Sequence, residues 1–339
     1  MKLLLFLIVA SLLNCTSCGE KHARSNKTAI TTTPIENAIG STTLSNSSTS
    51  TTNNTNGSKN IPAEVIQTTN NNASATLANY TQYSWLDTYH PQSALQKQIP
   101  TPPQYTRTPS SPTSFGTWLR GLPLLPKTSK VMLYNGTEKP YQEGAFRVLD
   151  IDIGQRDLQQ CADAVMRLVA EYHYSKKDYD AIHFNYTSGH TIRFSDWVKG
   201  KKPIIKGSKV SFSAANNSHN TSYKNFKKYL TNIYCYAGTA SLAKELKEKT
   251  ISNVSPGDVF IWGGFPGHAV IVLDVAQHET TGKKIFLLAQ SYMPAQSIHV
   301  LHNFNDSDLS PWYSEDFGAQ LVTPEWTFDR NTLKSFDID

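Results

Sequence analysis

The chain has 339 residues, 39% of them apolar and 17% charged, and a formal net charge of +5. That is enough apolar material for one large or two small domains. The charge is modest, no long basic block occurs, and the Tyr and Phe residues lie in strand-like runs without basic interleaving, which argues against a nucleic-acid partner.

Lys2, the apolar run Leu3–Leu13 and the sequence Asn14-Cys15-Thr16-Ser17-Cys18-Gly19 form the pattern of an export signal. Its apolar core is too short to span a bilayer stably. The ending resembles a bacterial lipoprotein signal, in which a cysteine becomes the lipidated first residue. Cys18, preceded by the small Ser17, is favoured over Cys15 as the lipidated position. Residues 1–18 are thus expected to be a lipoprotein signal, with the protein held in the cell envelope, periplasmic or surface-exposed, through an N-terminal lipid anchor. Residues 19–80 are read as a disordered tether: in Ser41–Asn60, 17 of 20 residues are Ser, Thr or Asn, too little apolar surface to offset the entropy of ordering. Residues 81–339 are expected to be one α+β domain. Its two cysteines, Cys161 and Cys235, are either a disulfide or two thiols; composition does not choose.

Tyr80–Pro126, rich in proline and aromatics, is expected to wrap the domain as an extended strap, with one or two helical turns at Ser114–Arg120. Val131–Tyr134 and Phe146–Ile153 are predicted strands around a turn at Asn135-Gly136. Asp157–Tyr174 is a predicted helix, capped by Asp157 with Gln160 completing a capping box. Leu158, Ala162, Val165, Val169 and Tyr172 form its apolar stripe, with Cys161 beside it, and Asp163, Arg167 and Glu171 form a charged ladder on the other face. A hairpin is predicted from Ala181–Tyr186 and Thr191–Phe194. A second helix spans Tyr223–Tyr236, breaks at Gly238-Thr239 and continues over Ser241–Lys249. The turn Ser255-Pro256-Gly257 then leads into a strand, Val259–Trp262. The break Gly263-Gly264-Phe265-Pro266-Gly267 follows, and then His268 at the mouth of the strand Ala269–Leu273. A loop, Gln277–Lys283, leads to a strand Ile285–Ser291, a turn and Ile298–Leu301; the tail carries Pro311-Trp312-Tyr313 and Pro324-Glu325-Trp326.

A histidine where a buried strand leaves a glycine-rich loop is well placed to act as a general base. Strand alternation points His268, Val270, Val272 and Asp274 the same way, but Asp274 lies about 20 Å along the strand, too far to orient the ring. A hairpin closing near Thr280 instead brings Gln290–Tyr292 alongside His268, so that Gln290 or Ser291 can bond one imidazole nitrogen and set its tautomer. Cys161, near a helix N-terminus where the dipole favours thiolate, is the first candidate nucleophile. Cys235, off the apolar stripe of its helix, is the second. No metal-ligand spacing, phosphate-cradling loop, dinucleotide fingerprint or G-x-S-x-G elbow occurs, so neither a metal nor a cofactor is expected.

The strings LQQCADAVMRL (158–168), YAGTASLAKEL (236–246), GGFPGHAVIVLD (263–274) and FLLAQSYMPAQSIHVL (286–301) resemble an uncharacterised family of bacterial lipoproteins known as a domain of unknown function. The resemblance runs over about 119–336 and implies a single exported domain. More remotely, the order of helix cysteine, Pro-Gly-Asp strand and Gly-His strand looks like NlpC-type and CHAP amidases, papain-like enzymes that cut cell-wall peptides. Those enzymes begin the helix Cys-Ser or Cys-Gly, where this chain has Cys161-Ala162-Asp163, and they separate cysteine from histidine by less than the 107 residues found here. The resemblance implies a papain-like antiparallel sheet packed on helices. In it, Cys161 attacks, His268 is the base and then the acid, and Gln290 orients the imidazole or helps hold the oxyanion. The substrate would be an amide in cell-wall peptides. The competing expectation is a non-catalytic binding module whose cleft is lined by Trp262, Phe265, Tyr292 and Trp312.

Overall fold

A computed structural model of the protein describes residues 83–207 and 209–338. The expected signal, Cys18 and the tether lie outside the described residues. Among the described residues no helix is long and apolar enough to cross a membrane.

The centre is a nine-stranded sheet. Its strands are β1 (Tyr105–Arg107), β2 (Ala145–Val148), β3 (Lys247–Glu248), β4 (Val259–Trp262), β5 (His268–His278), β6 (Lys284–Gln290), β7 (His299–Leu301), β8 (Trp312–Ser314) and β9 (Leu333–Ser335). The order is β2-β7-β6-β5-β4-β9-β3, with β1 on the far end of β5 and β8 on the outer half of β6. All these pairings are antiparallel. Helices and antiparallel strands make this an α+β fold.

β5 has no polar face because both of its faces are covered. On one side Ala269, Ile271, Leu273 and Ala276 join a core supplied by α1 (Phe115–Arg120), α2 (Cys161–Ser175), α3 (Tyr223–Tyr236) and α4 (Thr239–Glu245). On the other side Val270, Val272 and Val275 pack with Phe286 and Leu288 of β6, and with Leu321 and Phe328 of a C-terminal hairpin that pairs Gln320–Val322 with Thr327–Asp329.

The β5–β6 register changes once. Leu287 faces Asp274 whereas Leu288 faces Val272, so Leu273 is an extra residue in β5. Such a bulge interrupts the two-residue alternation. Asp274 therefore leaves the face of His268, Val270 and Val272, contrary to simple alternation, and turns to the helical side. There its carboxylate accepts Arg107 Nε and Arg120 Nε, each at 2.6 Å, and the Val275 N–H at 2.9 Å. Arg107 Nη2 also donates to Ile99 O and Arg120 Nη2 to Thr108 Oγ1. A fully buried carboxylate thus ties the wrapping strap to the central strand.

α2 begins at Cys161, four residues later than the sequence pattern predicts. Asp157 does not cap it, because its Oδ1 accepts the Ala295 N–H at 2.6 Å in the loop after β6. Gln160 is the cap residue, and its own N–H donates to Asp163 Oδ2. The expected outer ladder is buried as well: Arg167 and Glu171 are fully enclosed and bond at 2.7 Å, because α3 covers that face. Arg167 also donates to Gln159 Oε1 and Asp152 Oδ1. The helix after Gly238 is shorter than expected, ending at Glu245, and Lys247–Glu248 turns into the sheet edge as β3.

Asp274→Ala would leave two arginines aimed at a buried site without an acceptor. Breaking a buried pair from one side costs about 3–5 kcal/mol, so the urea midpoint should fall accordingly; a shift under about 1 kcal/mol would contradict this role.

Candidate active site

His268 is the first residue of β5 and enters the sheet from the glycine-rich loop. That loop rests on the start of α4, where Thr239 Oγ1 donates to Gly264 O. A Cβ on Gly267 would lie 2.3 Å from Thr239 Oγ1 and 2.7 Å from the carbonyl oxygens of Gly264 and Trp262; one on Gly263 would lie 2.7 Å from Ala243 Cβ. Only glycine allows this approach, which explains why the motifs at 236–246 and 263–267 belong together.

The imidazole is 1% exposed. Its ring centre lies 4.7 Å from that of Tyr292, 5.4 Å from Trp326 and 5.8 Å from Phe328. His268 Nε2 lies 2.8 Å from Gln290 Oε1, so the returning strand supplies the partner, as the hairpin geometry predicts. Ser291, the alternative partner, instead lies 2.9 Å from Gln159 O and 3.0 Å from Gln296 O, sharing one proton between them. It therefore holds the segment that leads into Cys161. The Gln290 NH2 group faces Glu325 Oε2 at 2.6 Å and His299 Nε2 at 3.4 Å. With its donors occupied, Gln290 orients the ring and has no N–H to offer an oxyanion. Glu325 also binds Lys139 Nζ at 2.5 Å.

Cys161 is the first residue of α2 and is half-buried there. α2 packs on β5, the strand that begins with His268. Neither Cys161 nor Cys235 is in a disulfide. Cys235, near the end of α3, lies by Tyr186 on the helical side.

Burial governs the charges. It pushes the Cys161 thiol up to about 11, reinforced by Asp163 and opposed by backbone N–H groups. The helix terminus therefore does not make a standing thiolate, contrary to the dipole argument alone: desolvation outweighs it. Burial likewise pushes His268 down to about 4, against the Gln290 hydrogen bond, with a further lowering by Lys139. His299 is pushed down to about 3, again by burial first. At neutral pH the resting pair is thiol and neutral imidazole.

The remaining predicted site residues divide. Trp262 (45% exposed) and Phe265 (85% exposed) lie on the surface, as does Met293. Tyr292 is half-buried against the His268 ring. Trp312 is a correction: on β8 it is 1% exposed, and its Nε1 donates to Pro100 O, because the strap covers it; it lines no cleft. Sequence reasoning missed Glu325, Lys139 and His299. The only signal for Glu325 was an acid set between Pro324 and Trp326. Among the described residues no group of three or more His, Cys, Asp or Glu is arranged to hold a metal.

Two outcomes follow from this geometry. Burial disfavours the charged imidazole, so the His268 ring should titrate with a midpoint near 4 and stay neutral at pH 6; an NMR midpoint above 6 would contradict the enclosure. Gly267→Ala must displace backbone, costing about 1–3 kcal/mol in a denaturation curve and slowing alkylation of Cys161; an unchanged midpoint would show that the loop has room.

No curated protein and no solved structure matches the chain. A family model described as "Domain of unknown function (4846)" matches residues 95–335, which takes in the whole sheet, Cys161, His268, Gln290 and Glu325, and the chain belongs to that family.

Proposed function

We propose that the protein is an exported cell-envelope lipoprotein, anchored at Cys18, whose domain is a papain-like cysteine amidase or peptidase acting on cell-wall peptides. The observation that carries this reading is Gln290 on Nε2 of His268 at the start of β5, the strand against which α2, opened by Cys161, is packed. A ring bonded through Nε2 keeps Nδ1 for the thiol proton. The envelope location and the substrate class rest on the export-signal pattern and on the resemblance to NlpC-type and CHAP amidases.

In this reading Cys161 Sγ attacks the scissile carbonyl as its proton passes to His268 Nδ1. The imidazolium then gives that proton to the leaving amine, the C–N bond breaks and a thioester remains. Water, deprotonated by the same ring, cleaves the thioester and restores the thiol. Because burial holds both partners neutral, the proton moves only as the S–C bond forms. The N–H groups at the start of α2 serve, in this reading, as donors to the developing oxyanion.

A second reading is favoured by the exposure of Phe265 and Trp262 together with the neutral resting pair: a non-catalytic module that grips a ligand with these exposed rings. One experiment separates the two. The purified chain is treated with iodoacetamide at pH 7.5 and assayed for amine release from cell-wall peptides. The enzyme reading expects Cys161 to alkylate first, Cys161→Ala to abolish release, His268→Ala to lower it on the order of 10²–10⁴-fold, and Cys235→Ala to leave it unchanged. An inert Cys161 and no amine release would establish the binding module.

A further inference from the structure

The end of the Gln290 carboxamide that faces His268 decides which imidazole nitrogen carries the proton. An amide oxygen requires Nε2–H and leaves Nδ1 as a lone pair; an NH2 group requires the reverse. A glutamine on a strand can present either end, so something else must choose.

The far side of Gln290 chooses. Glu325 Oε2, 2.6 Å from Gln290 Nε2, is held as a carboxylate partner of Lys139 and only accepts. His299 Nδ1 lies 2.9 Å from Ser297 O, a carbonyl that also only accepts, so Nδ1 carries the His299 proton and Nε2 shows Gln290 a lone pair. Both groups beyond the amide are therefore acceptors. Turning the carboxamide over would set its oxygen against a carboxylate and an imidazole lone pair. Gln290, His268 and His299 are each 1% exposed or less, so water does not relieve that conflict.

We infer that Glu325 is a positioning residue: through Gln290 it fixes His268 in the Nε2–H tautomer, with Nδ1 as the proton acceptor. Glu325 sits at the tip of the C-terminal hairpin, whose Trp326 and Phe328 also pack on the His268 ring, and Lys139 comes from the segment after the Asn135-Gly136 turn. Chemistry placed near Cys161 in the fold is thereby set by a side chain 164 residues further along the chain. The inference deepens the cysteine-amidase reading, but its test does not depend on turnover.

The test is the nitrogen spectrum of the full chain labelled with 15N-histidine, with His268 assigned from its loss in His268→Gln. The wild type should show a protonated Nε2 and an unprotonated Nδ1. Glu325→Gln keeps the shape but supplies an amide that accepts as well as donates, so Gln290 can turn over and both His268 nitrogens should move towards averaged values. Iodoacetamide labelling of Cys161 should then slow about twofold, in proportion to the remaining fraction of His268 with Nδ1 unprotonated. The double variant Gln290→Glu with Glu325→Gln places a carboxylate, which only accepts, against His268 and a donor behind it, and should return the proton to His268 Nε2. Circular dichroism and the melting midpoint show that each variant folds. If Glu325→Gln is poorly folded, the double variant and the wild-type spectrum decide alone. A pure Nε2–H tautomer in folded Glu325→Gln, or a wild type with the proton on Nδ1, would overturn the inference. An inert wild-type thiol defeats the amidase reading instead, and the nitrogen shifts still decide the tautomer.

Discussion

The pairing of β5 with β6 is the constraint from which the site follows. It sets Gln290 beside His268 on one face of the sheet, and its single bulge at Leu273 sends Asp274 to the other. Under strict alternation through Leu273, Asp274 would share the face of His268 and Val272, away from Arg107 and Arg120. With the bulge, the carboxylate meets Arg107 and Arg120 and fastens the strap. One irregularity thus separates two polar networks, one structural and one at the candidate active site, that would otherwise contend for the same apolar layer.

The chemistry around His268 is a contest between burial and hydrogen bonding, and burial dominates. A helix N-terminus and backbone N–H groups favour a thiolate at Cys161, yet desolvation holds the thiol protonated. The same enclosure keeps His268 and His299 neutral. Neutral imidazoles are tautomeric, so a site built this way must specify where the proton sits. The run from Lys139 through the partly exposed Glu325 and buried Gln290 to His268 does so with a group of fixed polarity at its outer end. A carboxylate suits that place because, paired with a lysine, it accepts and does not donate.

Much of the fold was legible in local pattern. The helix at Tyr223–Tyr236, the strand Val259–Trp262 and the hairpin around Gly189 follow from periodicity and turn residues, and the structure has them at or within a few residues of those positions. The partnership of His268 with Gln290 was legible too, because a hairpin closing near Thr280 leaves few residues able to reach the ring. Where local rules failed, a distant partner had taken the side chain. Asp157 looks like a helix cap and instead holds Ala295. Arg167 and Glu171 look like a surface ladder and are sealed under α3. Trp312 looks like a cleft wall and lies beneath the strap.

By itself the sequence determined the alternation of apolar and polar residues, the glycines that let the 263–267 loop settle on α4, and the residue types at 161, 268 and 290. These depend on backbone sterics and on neighbours a few positions away. Only the tertiary structure decided that Cys161 opens a helix packed on β5, that its thiol stays protonated, and that Glu325 and His299 stand behind Gln290. Desolvation and the direction of a hydrogen bond depend on which distant groups close around an atom, and neither is written in the spacing of residues along the chain.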